Sequence, residues 1–282
     1  MKRALVSMCV AMIAWGCERE AGYDGLGEAE AELAFMYEGE EVGRFALAAL
    51  ASSGGVDVEG YDPYYERDKR FRAVELVGVL ERAYGGLGLK LSEQEFILRA
   101  SDGYTVPMSG ERIIEGRPLL AYADLEAEGW EPIGPQKANP GPFYVVWRGA
   151  EQKDLEQYPR PWQLAQIEIA PFEQVFPKTL PEGAPRESAA WRGFAIYKDQ
   201  CVRCHAVNQQ GGRVGPELNV PRNITEYRPE DQIRAYIKNP RAFRYGNMPP
   251  FPHLTDADLD DVLAYLKAMK ARKDDPAEAD GG

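Results

Sequence analysis

Histidine is nearly missing from this chain: two occur in 282 residues, and cysteine is little commoner, with four. Neither residue occurs anywhere from 18 to 200. A structural zinc site usually needs four Cys or His ligands, so zinc here would have to borrow carboxylates. Basic charge is also scarce, since 33 Lys and Arg against 45 Asp and Glu give a net charge of -12. Nucleic-acid binding needs a basic face to neutralise phosphates, so no nucleic-acid partner is expected. An acidic surface keeps the chain soluble and suits a basic protein partner. No apolar run reaches the roughly 20 residues that a membrane helix needs. Apolar residues nevertheless make up 44% of the 282 positions, enough for a sizeable core and room for two domains.

What is present starts with a targeting pattern. Lys2 and Arg3 precede an apolar run from Ala4 to Trp15, broken only by Ser7. This length and these flanks predict a signal peptide over residues 1–17 rather than a membrane span. Ala14-Trp15-Gly16-Cys17 resembles a bacterial lipobox, which implies acylation of Cys17 and a lipid anchor to a membrane. The alternative is plain secretion with Cys17 incidental. Either way the expected location is extracytoplasmic, in the periplasm. Cys9 leaves with the signal peptide, so only Cys201 and Cys204 remain in the folded body.

Residues 18–32 are small and acidic and read as a tether. Residues 33–176 read as one mixed α+β domain. Val56 and Val58 alternate with charge as a strand does. Ala73 to Tyr84 has helical spacing, and Glu95 to Arg99 is a strand candidate. Phe143 to Trp147 is a buried-strand pattern, and Gln163 to Ile169 alternates. Tyr64 to Arg72 is dense in aromatic and basic residues; it reads as an exposed loop leading into the helix, with an anion-binding or docking edge as the rival. Prolines and a glycine make residues 177–186 a linker. A helical unit follows over 187–272, and residues 273–282 have the composition of a disordered tail.

Cys201-Val202-Arg203-Cys204-His205 is the attachment pattern for c-type haem. Two thiols add to the two vinyl groups on one porphyrin edge, and the tight spacing brings the next imidazole under the iron. Composition alone gives about 4 chance matches per 10,000 such chains. A redox Cys-x-x-Cys pair expects a βαβ setting, whereas this pair follows a helical pattern.

The flanking residues resemble a class I cytochrome c over 187–272. Gly193, Tyr197 and Cys201 lie four apart, and in that family such a glycine lets the last helix cross closely. Gly215-Pro216-Glu217-Leu218 is similar to the family's Gly-Pro-x-Leu loop, which implies that the Pro216 carbonyl accepts a hydrogen bond from the axial histidine, His205. Gly246 to Phe251 resembles the methionine-ligand loop and implies Met248 as the sixth ligand, with His253 as its rival. Pro229 to Lys238 is a short helix. Thr255 caps the last one, whose apolar stripe is Leu259, Val262, Leu263, Leu266 and Met269. An all-α domain with one covalent haem c is implied.

The first domain resembles the molybdopterin-dependent sulfite oxidase family over about 40–172. The residues that carry this are Ser101-Asp102-Gly103-Tyr104-Thr105, Leu119-Leu120-Ala121-Tyr122, Gly141 to Trp147 and Trp162 to Ile169. The family's cysteine ligand to molybdenum has no counterpart, so molybdopterin is not expected and the domain reads as a copy of the fold kept for docking or binding. The function expected is one-electron transfer to unidentified redox protein partners, with no catalytic residues. The alternative is a fused haem-containing oxidoreductase whose first domain oxidises a small anion.

Overall fold

The computed structural model describes residues 30–134, 136–244 and 246–275. The predicted signal peptide, Cys17 and most of the predicted tether lie outside the described residues. Among the described residues no helix is long and apolar enough to cross a membrane.

The N-terminal part is mostly β-sheet. Strands β1 (Glu32–Tyr37) and β2 (Glu40–Ala46) form a hairpin, followed by the short helix α1 (Leu47–Ala51). Strands β3 (Val56–Asp62) and β4 (Arg67–Glu75) lead into helix α2 (Leu76–Tyr84). Then come β5 (Glu95–Ala100), β6 (Thr105–Ser109), helix α3 (Gly110–Gly116), β7 (Leu119–Asp124), β8 (Tyr144–Val146) and β9 (Leu164–Ile169). One sheet has the order β2-β1-β9-β5-β6, and the other β3-β4-β7-β8. Among the described residues of these two sheets only the β1–β9 pair is parallel. Leu33, Phe35, Leu80, Phe96, Leu98, Val145 and Ile167 form one core. Phe71, Ala121, Trp130 and Tyr144 form a second beneath β4 and β7.

Two sequence expectations are corrected here. The helix begins at Leu76, because Ala73 to Glu75 are still paired with β7. The Tyr64–Arg72 stretch is a turn and a strand, not an exposed loop. Its period of two sends Lys69, Phe71 and Ala73 inward and Arg70 and Arg72 outward. Lys69 is fully buried because Asp124 at 2.7 Å and Glu131 at 2.9 Å pair with it, and Tyr65 lies 4.7 Å from its ammonium group.

The C-terminal part is helical. After α4 (Phe172–Val175) come α5 (Ala189–Ile196), α6 (Glu230–Lys238) and α7 (Asp256–Lys270). Thr255 caps α7, and Asp258 closes a reciprocal capping box. The whole predicted stripe on α7 is buried, and Tyr265 joins it with its hydroxyl donating to the Thr179 carbonyl at 2.8 Å. A Cβ on Gly193 would collide with the Asp261 carbonyl, so only glycine lets α5 cross α7 this closely.

The two parts share a core. Ile97 of β5, Phe172, Phe176 and Leu180 belong to the same apolar cluster as Phe194, Tyr197, Val202, Tyr265 and Leu266. The predicted linker is therefore a packed segment, with Thr179, Leu180 and Pro181 buried. The start of the predicted tail is held as well, since Lys273 pairs with Glu226 at 2.6 Å and the Asp274 amide donates to Asn208 at 3.1 Å.

Candidate functional site

Helix α5 widens to a π turn at Tyr197–Cys201 and then tightens. The Cys204 and His205 amides both donate to the Cys201 carbonyl, at 3.2 and 2.9 Å. This single turn gathers Cys201, Cys204 and His205. Both thiols are free. Burial pushes Cys201 up to about 12 and Cys204 up to about 11. A dithiol redox pair needs the opposite, a lowered pKa that supplies thiolate. Among the described residues no three His, Cys, Asp or Glu side chains come together in a metal-holding cluster.

His205 is oriented from behind. Its Nδ1 lies 2.8 Å from the Pro216 carbonyl oxygen. A carbonyl only accepts, so the ring donates there and keeps the Nε2 lone pair for a metal. Burial also holds His205 below the usual imidazole range, which favours the neutral, ligating form. A Cβ on Gly215 would lie 2.6 Å from the His205 ring, so glycine makes the space into which the imidazole fits. The Tyr197 hydroxyl donates to the His205 carbonyl at 3.0 Å and pins the turn. Free thiols, a neutral forward-facing imidazole and a glycine-shaped cradle fit a haem joined by two thioethers.

Glu217 stands at the variable position of the Gly-Pro-x-Leu loop, yet it organises that loop. Its carboxylate accepts from the amides of Asn208 (2.9 Å), Gln209 (2.9 Å), Asn219 (2.8 Å) and Val220 (3.2 Å). Behind it Asn208, Asn219 and Asn223 are buried and chained amide to amide. Asn219 and Asn223 also donate to the carbonyls of Met269 and Leu266 on α7. Substituting Glu217→Ala strands four amides and is expected to cost about 3 kcal/mol. Glu217→Gln should cost less, as urea unfolding of the two variants would show.

Met248 is half-buried in the loop between α6 and α7, and the Phe251 amide anchors that loop to Ile237 at 3.1 Å. His253 lies at the surface, its Nδ1 3.2 Å from Glu156. Arg203, a spacer residue to which the sequence reading gave no role, is buried and donates to the carbonyls of Leu155 (2.9 Å) and Glu156 (2.6 Å) in the first domain.

Comparison with known proteins agrees with this geometry. Residues 190–270 match the cytochrome c family. A 94-residue stretch is 31% identical to cytochrome c oxidase subunit 2 of Alkalihalophilus pseudofirmus, covering 30% of this chain and 27% of that protein. A 98-residue stretch is 29% identical to cytochrome c of Gossypium barbadense, covering 28% of this chain and 88% of that one. The first of these relatives is therefore matched over about a quarter of its own length.

Proposed function

We propose, from a cytochrome c domain at residues 190–270, that this chain is an extracytoplasmic one-electron carrier with one covalent haem c. The observation that carries the reading is the turn that sets Cys201 and Cys204 beside an imidazole held by Pro216 at 2.8 Å. When bound, the haem supplies an Fe(III)/Fe(II) couple. Cys201 and Cys204 tether it, and His205 ligates the iron. Pro216 fixes the imidazole and tunes its basicity. Met248 is the proposed sixth ligand; a thioether is soft and neutral, so it favours Fe(II). With His205 and Met248 both holding the iron, the haem would serve to exchange electrons rather than to bind substrate.

The N-terminal β-rich part is proposed to be a sulfite-oxidase-like domain without molybdopterin, kept for docking. In support, it has neither a cysteine nor a histidine to ligate molybdenum. The proposed lipid anchor on Cys17 would hold the chain at a membrane facing its redox protein partners. Metal analysis of the purified holoprotein tests the reading: one iron and no molybdenum per chain are expected. One molybdenum per chain would make the first domain catalytic instead, passing electrons to the haem.

A further inference from the structure

The turn that holds the haem is gripped by the first domain, and the grip is concentrated on Arg203. The Arg203 side chain donates to the Leu155 and Glu156 carbonyls. Its own carbonyl accepts from the Thr105 amide at 2.9 Å. Next along, the Arg213 amide donates to the Gly103 carbonyl at 3.1 Å. The contact at Gly103 is tight: φ is +88° and a Cβ there would lie 2.8 Å from Cβ of Arg213. Glu156 also meets His253, just past the Met248 loop, at 3.2 Å. Residues 101–105, Ser-Asp-Gly-Tyr-Thr, are the first-domain segment at this contact. Tyr64 and Tyr104, both half-buried, lie near Arg203 and Cys204. Tyr64 is held by Trp162, with ring centroids 4.8 Å apart.

A haem bonded to Cys201 and Cys204 has its thioether edge at these sulfurs, whatever else surrounds it. We infer that the first domain is a fixed cover over that edge, with Tyr64, the 101–105 turn and the Leu155–Glu156 loop clamped through Arg203. The inference rests on the haem reading above. Burial of a spacer arginine makes little sense otherwise. A guanidinium placed 8% exposed is costly unless its donors are met; here both terminal nitrogens find carbonyls of the other domain, while Nε is buried without a partner. The cover keeps water and redox partners off the thioether edge, so electrons enter and leave by another face. A drier edge also disfavours the extra charge of Fe(III) and raises the potential.

Opening the clamp tests this. Arg203→Ala removes the grip, and Tyr64→Ala thins the cover. Gly103→Val wedges the two domains apart from a position outside the attachment loop, so it serves even where Arg203→Ala impairs haem attachment. The full-length holoprotein is reduced by photoreduced lumiflavin, a small neutral probe, and rates are expressed per haem from the pyridine haemochrome. About tenfold faster reduction and a lower midpoint potential are expected in each haem-loaded variant. Limited proteolysis of the 149–158 segment reports whether the clamp opened. Unchanged rates and potentials overturn the cover in either case: with faster cleavage, the first domain was not shielding the haem; without it, these contacts were not holding the domain. Absence of haem from the parent protein would sink the electron-transfer reading instead.

Discussion

Met248→Ala lowers the midpoint potential on the order of 100 mV and abolishes the sulfur-to-iron band at the red end of the oxidised spectrum. A neutral thioether stabilises Fe(II) over Fe(III). For a one-electron couple each tenfold loss of that preference lowers the potential by about 59 mV. Water or hydroxide taking the vacated position favours Fe(III). His253→Ala is the paired control. That imidazole is exposed and engaged with Glu156 at 3.2 Å. Its removal leaves the band in place if Met248 is the ligand. The reverse pattern, with the band unchanged in Met248→Ala, assigns the sixth position elsewhere.

Cys201→Ala combined with Cys204→Ala yields a colourless protein. Among the described residues these two sulfurs are the only thiols, and Cys9 and Cys17 lie outside them. His205 and Pro216 remain in that double variant, so any haem it retains is held by coordination alone and is extracted by acidified butanone. Each single variant keeps one thioether and should retain haem, with an altered haemochrome maximum. Denaturing electrophoresis with haem staining reads all three. Colour that survives denaturation of the double variant would mean attachment at a different site.

The proposed attachment site was legible in the sequence because its chemistry is local. Cys201 to His205 fit within one turn, and no distant residue is needed to see their purpose. Thr255 and the α7 stripe were legible for the same reason, since caps and a 3.6 period are short-range patterns. The misreadings have a common cause in long-range partners. Lys69 reads as a solvated cation until Asp124, 55 positions on, supplies its counter-charge. Arg203 reads as a free spacer until the carbonyls of Leu155 and Glu156 close around it. The proline-rich run at 177–186 has a linker's composition, yet Thr179 offers its carbonyl to Tyr265 and Leu180 joins the shared core. Glu217 was passed over because its four amide partners lie in its own loop and in the 208–209 turn, a fold-back that no periodicity announces.

The most direct measurement is the intact mass of the full chain, made in cells that attach haem to exported proteins and denatured before analysis. The account predicts the polypeptide mass, after any processing, plus one haem. A mass explained by amino acids and lipid alone would contradict it.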